Sequence, residues 1–170
     1  MEGDSGHISS GKPPSCVTED GIQVSLTHEL LDASQILSSV KSPSAGAIVL
    51  FAGTTRDTFQ SKPVKQLQYT AYVPRALATL LDIARVVKQK HSLVAISMTH
   101  RLGVVPIGEE SILIAVSAPH RQAAWRAGEE ALELCKENAE IWKLEEFHGE
   151  EGVWRANRDG QQGAKVEKLS

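Results

Sequence analysis

The chain has 170 residues, 41% of them apolar, and a formal charge of −3, which suits one domain with a real core and argues against global disorder and against general nucleic-acid binding. No apolar run reaches about 18 residues, so no membrane span is expected. The opening MEGDSGHISSGKPPSC has neither the basic start and apolar stretch of a secretory signal nor the Arg-rich character of a transit peptide, which leaves the cytoplasm as the expected location.

Residues 1–20 are rich in Gly, Ser and Pro without periodicity and read as a disordered leader. Ile22, Val24 and Leu26 then alternate as in a strand. DASQILSSVK, 32–41, reads as a short helix with Asp32 as its N-cap. AIVLFAG, 47–53, is nearly all apolar, the pattern of a strand covered on both faces. It empties into the polar, turn-rich TTRDTFQSKP. VKQLQYTAYV, 64–73, alternates again as a strand.

Pro74 suits the first position of a helix running to Lys90, with Leu77, Leu80, Leu81, Ala84 and Val87 on one stripe. Residues 93–103 read as a strand, VVPIGEE as a turn, and SILIAVSAPH as a strand. The longest helical pattern spans 120–138, with Trp125, Gly128, Ala131, Leu132 and Cys135 expected inward. IWKLEEFH and GVWRAN read as two short strands, followed by a flexible tail at 159–170. This mixed succession predicts an α+β fold: one layered domain over 21–158, with a mixed or antiparallel sheet and packed helices.

Four clusters are candidate sites. In GTTRD, Gly53 permits close backbone approach, Thr54 and Thr55 offer hydroxyls, and Arg56 offers a fork for an oxyanion; the bland alternative is a strand exit with a surface arginine. His120 and Arg121 stand at a helix entrance, where free N–H groups and the macrodipole favour an anion; the alternative is two solvated cations. Lys136, near a helix end, is either a reactive amine or a complement to the dipole. Lys143 lies in EIWKLEE among Glu140, Glu145 and Glu146. On a strand it faces away from Trp142 and Leu144 and shares a face with Glu145, as a working pair or a surface ion pair.

His100 and Arg101 form a second His-Arg pair whose role the surrounding residues leave open. The two cysteines, Cys16 and Cys135, are too far apart for a metal or redox motif, and Cys135 reads as a buried structural thiol.

GAIVLFAGTTRD, LQYTAYVPRA, HRLGVVPIGEESILIAVSAPHRQAAWRAGEEALELCK, IWKLEE and GVW, in this order, resemble the large, catalytic subunit of molybdopterin synthase. The resemblance runs from about Ile22 to Trp154 and leaves the leader outside. It implies an α/β hammerhead fold and a sulfur transfer. A small ubiquitin-like subunit with a C-terminal Gly-Gly thiocarboxylate would supply sulfur to cyclic pyranopterin monophosphate, forming the molybdopterin dithiolene. It also implies a homodimer within a heterotetramer, with no cofactor and no metal in this subunit.

Carried over by position, the resemblance assigns catalysis to Lys136 and Lys143. It assigns substrate contact to these two and to Thr54, Thr55, Arg56, His120, Arg121, Leu144, Glu145 and Arg158. Two other readings stand beside it: a non-catalytic module that binds a ubiquitin-like tail, and a different lysine enzyme acting through a Schiff base. If 120–136 is one helix, its ends lie about 24 Å apart. His120 and Lys136 of one chain then cannot touch the same small substrate, so either the helix is interrupted or two chains share the pocket.

Overall fold

The computed structural model describes residues 15–157. Arg158, residues 1–14 of the expected leader and the expected tail at 159–170 lie outside the described residues. The fold is α+β, as expected. Every strand and helix read from the sequence is present in the expected order: β2 (Ile22–Thr27), α1 (Ala33–Val40), β3 (Ala47–Thr54), β5 (Lys62–Ala71), α2 (Val73–Lys90), β6 (Ala95–Arg101), β8 (Glu110–Ala118), α3 (Arg121–Asn138), β9 (Ile141–Phe147) and β10 (Val153–Ala156).

Three short strands were not foreseen: β1 (Ser15–Glu19), β4 (Thr58–Phe59) and β7 (Gly103–Pro106). The first corrects the extent of the leader, because residues 15–19 pair antiparallel with β2. The third corrects the reading of 104–106 as a turn, because β7 pairs with β5. None of the three carries a long alternating pattern. Each is held in strand conformation by its partner's hydrogen bonds: β1 and β4 across tight turns, with Glu19 opposite Ile22 and Phe59 opposite Lys62, and β7 by the sequence-distant β5.

Two sheets organise the molecule. One has the order β1-β2-β6-β8-β3, with β2 and β6 parallel and the other neighbours antiparallel. The other has the order β10-β9-β5-β4, with β7 also on β5. In the first sheet β8 is central and covered on both faces. Ile112, Ile114, Val116 and Ala118 join the main core with α2 and α3, while Leu113 and Ala115 pack with Ile36 and Val40 of α1. The two-sided covering expected for β3 therefore belongs to β8. Strand β3 is an edge, with Val49 buried and Ile48 36% exposed; α1, of eight residues, lies mainly over β8 and β6.

Local capping follows the sequence. The Asp32 carboxylate accepts from the Ser34 and Gln35 N–H groups at 2.9 and 3.1 Å. Tyr72 is the N-cap of α2, so Pro74 is its second residue rather than its first. On α3 the inward stripe is Ala124, Ala127, Gly128, Ala131 and Cys135, while Trp125 is 65% exposed. The reason is steric: a Cβ at Gly128 would lie 3.3 Å from Val49 Cγ1. A helix seated that closely on a sheet accommodates small residues and turns the indole outward. No helix among the described residues is long and apolar enough to cross a membrane.

Candidate active site

A cavity of about 650 Å³ opens where the two sheets meet the C-terminal end of α3. That volume suits a small organic ligand. Gly53 and Thr54 at the end of β3, then Arg56, form one wall. Phe59 and Gln60 of the β4–β5 hairpin form a second. Lys136 comes from α3, Lys143 and Glu145 from β9, and Arg155 from β10. Among the described residues, the chain therefore brings four cations from separate segments to one cavity, together with one lining carboxylate, Glu145.

Gly53 is needed at the bend. The β3–β8 register shifts between Gly53 and Thr54. A Cβ at Gly53 would lie 2.7 Å from Ile112 Cγ2, so only glycine lets β3 turn into the cavity wall without moving the core.

Strand alternation places Lys143 and Glu145 on one face, as expected. Lys143 Nζ lies 3.4 Å from Glu145 Oε1, and the two side chains are only 13% and 4% exposed. This is not the solvated surface pair of the bland reading. Lys143 Nζ also lies 5.9 Å from the Phe59 ring centroid, within cation–π range. The other nearby acids have partners of their own. Glu140 accepts from the Thr79 hydroxyl at 2.8 Å and sits 3.5 Å from Arg75, while Glu146 accepts from Gln66 at 3.0 Å. Of the three carboxylates flanking Lys143, Glu145 alone pairs with it.

Four expected contact residues do not reach this cavity. Thr55 is 3% exposed, and its hydroxyl donates to the Val105 carbonyl at 3.3 Å, which ties the loop to β7. Leu144, one residue out of phase with Lys143, lines a separate recess beside Lys65 and Glu146. His120 and Arg121 are exposed at the other end of α3. Because α3 is continuous from Arg121 to Asn138, they stand about 24 Å from Lys136 at 1.5 Å per residue. An interrupted helix is thereby excluded.

His100, whose sequence neighbours give it no role, lines the cavity. It is 1% exposed, and burial pushes its pKa down to about 4, although the Arg101 carbonyl pulls the other way. The ring is therefore neutral at pH 7. Nδ1–H donates to the Arg101 carbonyl at 2.8 Å, which leaves Nε2 to accept from the Asn157 amide at 3.3 Å. Tyr69 meets the ring edge-on at 4.9 Å between centroids. Phe59, Arg155 and Asn157 were missed because no local pattern marks them; the folding of β4 and β10 against their neighbours brings them in.

Cys135 borders the cavity but is 2% exposed, and burial pushes its thiol up to about 12 against the pull of Lys136. It is not a nucleophile near neutral pH. Among the described residues, no cluster of three or more His, Cys, Asp or Glu side chains could hold a metal ion.

Comparison with known proteins places the chain in a family and a fold. The family model described as MoaE protein matches residues 26–138. The molybdopterin synthase catalytic subunit of Sclerotinia sclerotiorum is 67% identical over 151 residues, covering 88% of this chain and 77% of that protein. Its counterpart from Pyricularia oryzae is 62% identical, covering 89% and 83%. The crystal structure of molybdopterin synthase from Staphylococcus aureus superposes with a TM-score of 0.73 at 33% identity, covering 76% of this chain and 94% of that one. A chain from the complex of subunits 1 and 2 of the Helicobacter pylori molybdopterin-converting factor shares the fold, with a TM-score of 0.63 at 23% identity, covering 75% and 87%. With matches of this extent and identity, the chain belongs to the MoaE protein family, that of the molybdopterin synthase catalytic subunits.

Proposed function

We propose that this chain acts in the cytoplasm as the catalytic subunit of molybdopterin synthase. It moves sulfur from the thiocarboxylated C-terminus of a small ubiquitin-like subunit onto cyclic pyranopterin monophosphate, forming the dithiolene. The observation that carries the reading is the convergence of Lys136 and the Lys143–Glu145 pair on one cavity with Arg56 at its wall. An anionic, phosphorylated substrate matches the excess of cations over carboxylates.

The chemistry assigns each group a task. The thiocarboxylate sulfur attacks a substrate carbon, forming a C–S bond as the departing oxygen takes a proton. Lys136 supplies that proton as general acid or activates the carbon by transient covalent attack. The thioester-like link to the tail is then cleaved by water, which leaves sulfur on the pterin and a carboxylate on the tail. Lys143 holds the tail terminus or assists proton transfer, and Glu145 orients it. Thr54 and Arg56 contact substrate; no protein thiol takes part, in keeping with the inert Cys135.

His120 and Arg121 are too far from Lys136 to act on the same substrate within one chain, so the working pocket is shared between two copies. The assembly is a homodimer with one small subunit at each end, a heterotetramer. Mixed dimers of His120→Ala and Lys136→Ala chains should then recover activity that neither variant has alone; no recovery in verified mixed dimers refutes the shared pocket.

The main test combines the protein, a thiocarboxylated ubiquitin-like partner and cyclic pyranopterin monophosphate, with dithiolene formation as the readout. Product from the parent and almost none from Lys136→Ala supports both the reaction and the role of Lys136. Equal product from both moves the chemistry to Lys143. No product from a parent that binds the partner overturns the enzymatic reading in favour of a tail-binding module.

A further inference from the structure

We propose that Arg155 is a further substrate-binding residue of this cavity, its guanidinium receiving an oxyanion beside Lys143. The inference rests on the function proposed above and adds to the site a residue that the sequence did not single out.

Position comes first. In the β9–β10 ladder Arg155 is the direct partner of Lys143, and both line the cavity. Side chains directly opposite on one face sit with Cβ atoms about 5 Å apart, and like charges so placed repel each other. Glu145 offsets part of this through Lys143. Among the described residues no other carboxylate lines the cavity, where Arg56 and Lys136 add two further cations. An anion seated between Lys143 and Arg155 would relieve the repulsion.

Hydrogen bonding points the same way. Arg155 Nε is buried and has no hydrogen-bond partner among the described residues. A buried, charged donor left unpaired is costly unless a ligand completes it. The Nε edge of a guanidinium, with its neighbouring N–H, takes two oxygens of a phosphate or carboxylate side by side.

The strand carrying Arg155 is also anchored in place. Two residues on, the Asn157 N–H donates to the Ile141 carbonyl at 3.2 Å, and its side-chain amide donates to His100 Nε2 at 3.3 Å. Both bonds are made within the chain itself and fasten the end of β10, so less ordering is required of Arg155 on binding.

The oxyanion could be the phosphate of the pterin or the terminal carboxylate of the partner's tail. Calorimetric titration of the parent, Arg155→Gln and Arg155→Lys separates them. One arm uses cyclic pyranopterin monophosphate; the other uses the small partner ending in an unmodified Gly-Gly carboxylate. Loss of a charge-assisted, two-pronged contact predicts affinity about 10- to 100-fold weaker for Arg155→Gln in one arm, with partial recovery in Arg155→Lys; the melting temperature of Arg155→Gln should equal or exceed the parent's, because removing the cation relieves the repulsion. The affected arm identifies the anion. Parent-like affinity of Arg155→Gln in both arms overturns the assignment and leaves the proposed function standing. If Arg155→Gln does not fold, Arg155→Lys decides, because parent-like affinity without the fork overturns it equally. A parent that binds neither ligand overturns the proposed function and this assignment together.

Discussion

His100 makes the fold sensitive to acid in a window set by its burial. In the folded chain its pKa is about 4, against 6.5 for an exposed histidine. The unfolded chain therefore binds the proton more tightly, and protonation favours unfolding. The stabilisation is fully present above pH 6.5 and is lost as pH falls through about 4. At about 1.36 kcal/mol per pH unit, the gap is worth about 3 kcal/mol, most of it gone by pH 4.5. Urea unfolding from pH 7.5 to 4.5 measures this, with His100→Asn as the control. Asparagine keeps a donor near the Arg101 carbonyl and removes the titration. The variant should be less stable at pH 7.5 because the ring packs against Tyr69, but its stability should fall less steeply below pH 6.5. Parallel curves for parent and variant refute the reasoning, because the falling limb would then belong to other groups.

Three further outcomes follow from the same geometry. Lys143→Met and Glu145→Gln should each cost about 1–3 kcal/mol in urea unfolding, and the double variant should cost at least about 1 kcal/mol less than their sum; strict additivity would show that the pair is not coupled. Gly53→Ala should lower stability by about 1–3 kcal/mol, because its Cβ meets Ile112 within the core; a melting temperature equal to the parent's would show that β3 yields freely. In the native protein a thiol reagent at pH 8 should modify the exposed Cys16 and spare Cys135, with both reacting in denaturant; equal native rates would contradict the inert thiol.

Much of the architecture was legible because the signals that encode it are local. Period-two alternation marked β2, β5 and β9, and period 3.6 marked α2 and α3. The Asp32 cap and the shared face of Lys143 and Glu145 follow from neighbours a few residues apart. The helical rhythm of 120–138 was legible, but whether the helix is interrupted was settled only by the continuous α3, Arg121–Asn138, which separates His120 from Lys136.

What only the tertiary structure decided depends on partners distant in sequence. The apolar runs of β3 and β8 look alike, yet pairing order makes one an edge and the other the covered centre. Thr54 and Thr55 are adjacent and chemically identical, yet only Thr54 lines the cavity, because β7 claims the Thr55 hydroxyl. Apolar identity alone would turn Trp125 inward; the close seat of Gly128 on β3 admits only small residues there and turns the indole out. His100 and Arg155 enter the site only once β6, β9 and β10 surround one cavity. Local periodicity specifies which side chains share a face; the long-range pairing of strands specifies what that face meets.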